Sequence, residues 1–347
     1  MQKVYIPFAW HCSILSLKGL QWYIYHCKPI GDFNLLETSN LLTEKQQQEI
    51  KAHFEKLGAK IYSRRDIEEI FVNSLGLLYF PRNIWGDDFF GHLIKKLGLK
   101  EVVLTSPNYN KKYVRYAWRE IPLYHLSLSL RPRSYLSHHS AMLLNGLTAV
   151  PSKIIYVNSE QSPKIRRETS LEQGSIDLAF KSKPRTSKYI FTYKNWQICC
   201  LSGLNTNNLG VEEIETGQGE KSHVTNIERT LIDIAVRPFY AGGTSEVQRS
   251  YIKAKGKTSI DTLVSILKKI NYIYPYHQVI GFYMQRAGFG DSALNLLKKL
   301  GLKYDFYLDY GMKEKDYSKE WRIYFPKNIP DPTKSKTLSR YYPERIC

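Results

Sequence analysis

Three sets of residues in this chain could carry out chemistry. Adjacent His138 and His139 offer imidazoles for acid–base or metal work. Gly174-Ser175 followed by Asp177 has the opening of a nucleotidyl-transfer site, and Glu49-Ile-Lys51 has a Glu-x-Lys spacing used by nucleases. None of the three is complete. Neighbouring side chains on a helix diverge, so both histidines cannot face one metal well, and no nearby Cys, Ser and carboxylate set makes a nucleophilic arrangement. Nucleotidyl transfer needs two carboxylates sharing a metal, and Ala179 stands where the second is required. Glu49 and Lys51 lie inside a helical pattern, far from any suitable preceding Asp. His223 and His277 are isolated. The five cysteines (Cys12, Cys27, Cys199, Cys200 and Cys347) are odd in number and form no C-x-x-C pair. That argues against a disulfide framework and a zinc site and fits a reducing cytoplasm. Catalytic residues, metal and cofactor are therefore expected to be absent, and the chain is not expected to be an enzyme.

The charge points to binding instead. The 347 residues carry a net charge of +18, which suits a polyanionic partner, nucleic acid or an anionic membrane surface. No apolar run approaches the length of a bilayer span, so no membrane partner is expected. Residues 131–347 hold thirty-three basic and twenty acidic residues, whereas residues 36–130 hold fourteen and eleven. Two readings of that excess stand: a solvated surface, or a second phosphate-contacting region. The 26 tyrosines likewise allow core and hydrogen-bonded positions or stacking on single-stranded bases.

The elements that would position these charges fall into order. Thr43 with Gln46 caps a first helix with Ile50, Phe54 and Leu57 on its apolar stripe, and Ser63 with Asp66 opens a second. A third runs from about Trp85 or Gly86 to Leu97, burying Phe89, Phe90, Leu93, Ile94 and Leu97 and leaving His92, Lys95 and Lys96 elsewhere on its surface. The period then changes to alternation. Val102–Ser106 and Lys112–Trp118 read as strands about the turn Pro107-Asn-Tyr-Asn110. Three helices followed by a basic hairpin is the order of a winged helix-turn-helix, whose third helix enters the major groove while the wing rests on the backbone or minor groove. Arg82 and Asn83 are then placed to read base edges. Lys111, Lys112 and Arg115 are phosphate candidates on the wing, and Arg64 and Arg65 could clamp a phosphate near the second helix's N-terminus. Asp87 and Asp88 open the third helix; they either face the protein or read a cytosine amino group.

Residues 1–35 match neither part. Met1–Lys28 lacks the clean apolar core of a signal peptide, and the segment reads either as a start codon assigned too far upstream or as a short appended element. Residues 36–121 form the winged-helix domain and residues 122–330 a larger mixed α+β domain. Residues 331–347 are a polar, basic tail, expected to be poorly ordered. In the larger domain Leu123–Leu130 suggests a helix, Ile176–Phe180 a short apolar stretch and Tyr189–Leu201 paired strands. Helices dominate from Thr225 to Leu300, and Tyr304–Tyr310 with Trp321–Phe325 look like closing strands. The fold class is α+β: an N-terminal winged helix-turn-helix followed by a larger mixed α+β C-terminal domain.

One segment is more specific. In Thr225-Asn-Ile-Glu-Arg-Thr-Leu-Ile-Asp-Ile-Ala-Val-Arg-Pro-Phe-Tyr-Ala-Gly-Gly243, Thr225 and Glu228 have capping-box spacing, and Leu231, Ile234 and Ala235 make an apolar stripe. Arg237-Pro238 stops the helix, Gly242-Gly243 turns, and Thr244 or Ser245 caps the next helix. Glu228, Arg229 and Asp233 read as residues that hold the fold. This segment resembles the signature of the C-terminal domain of AbiEi-family antitoxins. Ser134–Leu147, Ile154–Pro163, Tyr274–Phe282 and Ser318–Pro326 resemble, in order, that domain's opening helix, next strand, closing helix and closing strand. The resemblance spans roughly residues 60–330. It implies a transcriptional repressor of a type IV toxin-antitoxin, or abortive infection, system used in phage defence, binding double-stranded DNA at an inverted repeat in its own promoter. It also implies a nucleotidyltransferase-like toxin as functional partner, opposed without a stable direct complex. The alternative left by the residues is a nucleic-acid-processing or RNA-binding protein that uses the basic α+β domain.

Overall fold

Local capping opens the described part of the chain. In the computed structural model, which describes residues 42–58, 61–72, 86–164, 170–216, 221–327 and 329 (86–89 as backbone), helix α1 spans Glu44–Lys56. Its capping box is formed: the Gln46 amide donates to the Thr43 hydroxyl, and the Thr43 amide donates to Gln46 Oε1 at 2.9 Å. Strand β1 (Ile61–Tyr62) and helix α2 (Arg64–Ile70) follow, the latter capped reciprocally by Ser63 and Asp66. Helix α3 is Gly86–Lys95. Strands β2 (Lys100–Ser106) and β3 (Lys111–Ala117) form a hairpin, with Asn110 in the left-handed region at its turn. β1 pairs with β3. A core of Ile50, Phe54, Tyr62, Ile67, Leu93, Tyr116 and Trp118 closes three helices onto this small sheet, with Phe54 stacked on Trp118 at 4.6 Å. The winged-helix order expected from the sequence is therefore present among the described residues.

The larger part contains helices α4 (Leu123–Leu128), α5 (His138–Leu144) and α6 (Gln173–Lys181), and strands β4 (Ser134–Leu136), β5 (Ile154–Glu160), β6 (Ile190–Tyr193), β7 (Trp196–Gly203), β8 (Val211–Glu215) and β9 (Lys221–Thr225). Helices α7 (Ile227–Val236), α8 (Thr244–Ala254), α9 (Ile260–Ile270), α10 (Tyr276–Arg286) and α11 (Asp291–Lys298) come next. A small sheet of β10 (Phe306–Tyr307), β11 (Lys315–Ser318) and β12 (Ile323–Pro326) closes the described chain. The fold class is α+β. Ser134–Leu147, expected as one helix, is a strand followed by a helix. The apolar stretch Ile176–Phe180 is part of α6. Strands β8, β9 and β11 have no counterpart among the expected elements.

The boundary expected at residue 121 is crossed by hydrogen bonds. One nine-stranded sheet runs β1-β3-β2-β6-β7-β5-β4-β9-β8, and β2 of the hairpin meets β6 at Thr105 and Thr192. The cause is the outer edge of β2. A free edge exposes unpaired amides and carbonyls, and β6 satisfies part of it. The middle of the sheet is covered on both faces, which explains the continuous apolar run in β7. Cys199 packs with Tyr156 and Tyr240, while Cys200 joins Leu104, Val157 and Phe191 on the opposite face. Burial raises both thiols, to about 11 and about 12, so neither is a reactive thiolate at neutral pH.

α7 is the central helix. Every residue from Glu228 to Ala235 is buried, with α5, α8, α9 and α10 packed around it. Its cap is Asn226, whose side chain accepts the Arg229 amide at 2.9 Å, and not Thr225 as the spacing suggested. The Thr225 hydroxyl instead pairs with that of Thr230 at 2.8 Å. Glu228 reaches another helix: its Oε1 accepts the amide of Ser259, the cap of α9, at 2.7 Å. Pro238 stops α7 as expected. Gly242 and Gly243 turn the chain with positive φ, and Gly243, not Thr244 or Ser245, occupies the cap of α8. Gly281 of α10 lies against the fully buried Trp321 ring, where even a methyl group would clash.

Arg229 ties these layers together. Its Nε donates to Asp233 Oδ1 at 2.8 Å, and its Nη1 donates to the Leu209 carbonyl at 2.7 Å and the Thr206 hydroxyl at 3.1 Å. Nη2 lies 3.4 Å from the Tyr135 hydroxyl, which accepts from Asn158 and faces Glu160. Burial opposes the Arg229 charge, but Asp233 and Tyr135 outweigh it and hold the guanidinium firmly protonated. Burial likewise raises the Glu160 carboxyl, and hydrogen bonds from Thr206 and Asn208 with the Arg229 charge more than reverse this. Removing one partner of a buried pair strands the other, at a cost of about 3–5 kcal/mol. Asp233→Ala is expected to lower the urea midpoint by an amount equivalent to that loss, with an unchanged denaturant slope. A loss under about 1 kcal/mol would show that Arg229 finds another acceptor.

Candidate nucleic-acid interface

The hairpin presents two faces because alternate residues point to opposite sides of a strand. Tyr116 and Val114 face the three-helix core, while Tyr113 and Leu104 face the core under β5–β7. Near the hairpin's turn Thr105, Lys111 and Lys112 are exposed, while Ser106 is buried against β6. Lys112, Thr105, Thr192 and Gln197 line up across β3, β2, β6 and β7. Lys111 and Lys112 are exposed and make no ion pair among the described residues. The same holds for Lys95 and Lys96 at the end of α3.

The other expected contact residues are placed differently. Arg82 and Asn83 lie outside the described residues, as do the side chains of Asp87 and Asp88. Arg64 Nε donates to Glu68 at 2.9 Å and its guanidinium lies 4.9 Å from the centre of the Phe90 ring; Arg65 Nε donates to Glu69 at 3.0 Å. These guanidiniums run along α2 and do not gather at its N-terminus, a pairing that the four-residue Arg–Glu spacing could have revealed. Exposed pairs of this kind contribute only about 0.3–0.5 kcal/mol, so a phosphate can replace them.

Two expectations are corrected outright. His92 is 6% exposed, inside the winged-helix core beside Leu93. Burial, then the Lys96 charge, lowers its imidazole pKa. It is neutral packing, not a contact to DNA. Arg115 is tied to the protein: Nε and Nη2 donate to the Ser129 carbonyl at 3.3 and 3.1 Å, and Nη1 donates to the Val114 carbonyl at 2.9 Å. It sits on the hairpin face that packs against the larger part, so it fastens the wing instead of reaching outward.

Sequence reasoning missed the residues beside the wing. The Asn108 side chain donates to the Lys188 carbonyl at 2.9 Å, and Ser106 Oγ donates to the Ile190 carbonyl at 3.1 Å. Tyr109 stacks on Tyr189 at 5.2 Å, and the Arg131 guanidinium lies 4.7 Å from the centre of the Tyr189 ring. Tyr109 and Tyr189 remain 40% and 45% exposed. Their adjacency crosses some eighty residues of chain, so only the abundance of Tyr among Lys and Arg hinted at it. A second tyrosine row, Tyr307, Tyr324 and Tyr317 across the small sheet, serves a structural purpose. Tyr307 and Tyr317 donate to the carboxylates of Asp177 and Asp305, which repel phosphate.

Of the residues that invited catalysis, the histidines are buried and Asp177 is hydrogen-bonded, while Glu49 and Lys51 lie on α1 and Ser175 on α6. His138 and His139 open α5 inside the protein, and Asp177 accepts from Gln173 and Tyr307. Among the described residues no group of three or more His, Cys, Asp or Glu side chains could hold a metal ion, and no helix is long and apolar enough to cross a membrane.

The geometry defines an α+β chain with a winged helix whose hairpin is built into a larger sheet. No family model matches the chain, and no curated protein does. The fold is similar to the crystal structure of the Rv2827c protein from Mycobacterium tuberculosis. The TM-score is 0.50 at 11% sequence identity, covering 81% of this chain and 91% of that one. At that identity the likeness concerns the fold alone.

His138 makes the fold sensitive to acid. Burial lowers its imidazole pKa from 6.5 to about 4; Asp233 opposes the drop, while Arg237 and Arg229 add to it. Between these values the unfolded chain binds a proton that the folded chain refuses, so stability falls as pH falls from 6.5 and levels off near 4. The difference amounts to about 3 kcal/mol. His138 has φ of +49°, a conformation Asn tolerates. His138→Asn is therefore expected to flatten the stability-versus-pH curve in this window, as measured by urea unfolding. An acid limb as steep as the parent's would assign the effect to other groups.

Proposed function

We propose that this chain is a DNA-binding transcriptional repressor of the antitoxin type, acting on an inverted repeat in its own promoter. The observation that carries the reading is the winged-helix order of α1, β1, α2, α3 and the β2–β3 hairpin, with Lys95, Lys96, Lys111 and Lys112 exposed and without ion-pair partners among the described residues. A third helix in the major groove and a wing on the backbone would use these cations in the manner of the fold. The net charge of +18 supports a polyanionic partner. The resemblance of the Thr225–Gly243 segment to AbiEi-family antitoxins supports the finer assignment. In that reading the chain represses its operon and opposes a nucleotidyltransferase-like toxin without holding it in a stable complex, and acts in the cytoplasm without catalysis of its own.

A mobility-shift titration tests this. The full chain is expected to bind the duplex upstream of its own gene more tightly than a random duplex of equal length at moderate salt. Equal affinities would remove the repressor reading. Lys111→Ala with Lys112→Ala is expected to reduce the dependence of log affinity on log salt by up to about two, at roughly 0.9 for each phosphate that the variant no longer neutralises.

A further inference from the structure

The wing does not end at its own turn. Its tip is joined to the start of β6 and the residues before it by the Asn108–Lys188 and Ser106–Ile190 hydrogen bonds and by the Tyr109–Tyr189 stack. Across this junction stand four cations, Lys111 and Lys112 on β3, Lys188 beside β6, and Arg131 against Tyr189. None makes an ion pair with a described residue. Two strand spacings separate β3 from β6, about 10 Å, which corresponds to roughly three base-pair rises along the axis of a duplex at about 3.4 Å each.

Tyr109 and Tyr189 are 40% and 45% exposed beside these cations. One of the four cations, Arg131, lies over the Tyr189 ring. The Tyr189 ring, 4.7 Å from the Arg131 guanidinium carbon, restrains that side chain, and the bond from Asn108 to its carbonyl holds the backbone of Lys188. A guanidinium so oriented loses little freedom when it meets a phosphate. The acidic residue of the hairpin, Glu101, pairs with Tyr116 at the end away from the turn.

We infer that the wing tip, the Lys188–Tyr189 segment and Arg131 form one preset surface for the phosphate backbone of duplex DNA, so that the larger domain shares the contact with the winged helix. This rests on the DNA-binding reading above but not on sequence specificity. Contact of this kind fixes register and contributes salt-dependent affinity without reading bases.

The probe is a random-sequence duplex of about 30 base pairs, titrated by fluorescence anisotropy with the full chain over a range of salt concentrations; at about 10 base pairs per turn it spans three turns. Arg131→Gln with Lys188→Gln is expected to lower the salt slope by up to about two, at roughly 0.9 per neutralised phosphate. Lys188→Gln alone, at an exposed position where folding is not at risk, is expected to lower it by about one. A single strand of the same sequence is expected to bind more weakly than the duplex. Parent-like slopes in both variants, with a reduced slope for Lys111→Ala/Lys112→Ala, would overturn the shared surface and leave the winged-helix reading intact. Equal affinity for promoter and random duplex, with the Arg131 and Lys188 variants still lowering the slope, would sustain this surface and remove the repressor assignment. Tighter binding to the single strand, or no duplex binding at all, would overturn the inference.

Discussion

A guanidinium cannot shed its proton, so burying Arg229 forces the surrounding chain to supply acceptors. Asp233 provides charge, Leu209 a carbonyl and Thr206 a hydroxyl, with the Tyr135 hydroxyl at the edge of reach. These partners come from α7 itself, from the loop after β7 and from β4. Glu160 on β5 fastens the same loop through the Thr206 and Asn208 amides. The position of the central helix against the sheet is therefore set by hydrogen-bond directions as well as by apolar contact. Directional bonds permit few alternative packings, whereas an aliphatic interface allows sliding.

The second constraint is the outer edge of the hairpin. An isolated winged helix leaves β2 open, yet here β6 bonds to it, and the Asn108 and Arg115 side chains reinforce the junction. The wing is thus held against the larger domain on one side while Lys111 and Lys112 stay exposed. A wing fixed in this way loses less freedom on meeting a ligand than a mobile one, which favours affinity through preorganisation. The junction also brings Arg131 and Lys188 of the larger part next to the wing.

Conversely, several polar residues with chemical promise have structural duties. His138 and His139 sit inside, Asp177 anchors Tyr307, and Cys199 and Cys200 fill opposite faces of one strand. Glu228 completes the start of α9. The Thr225–Gly243 segment is thus a set of fold-determining contacts.

What the chain's sequence determined alone is whatever depends on partners three or four residues apart. The boxes at Thr43–Gln46 and Ser63–Asp66, the hairpin about Asn110, the stop at Pro238 and the apolar stripe of α7 all follow from local hydrogen bonds and periodicity. The three-helix-and-hairpin order followed from these. Tertiary structure decided the rest. His92 faces inward because the third helix's buried arc is wider than its apolar letters, and Arg115 bonds Ser129 because β3 lies over the larger domain. Asn226 displaced Thr225 as cap once Thr225 was needed at the end of β9, and Tyr135 meets Arg229 across ninety-four positions of chain. Edge pairing and charge burial are settled by whichever distant group arrives with the right geometry, and nothing in the local sequence records that arrival.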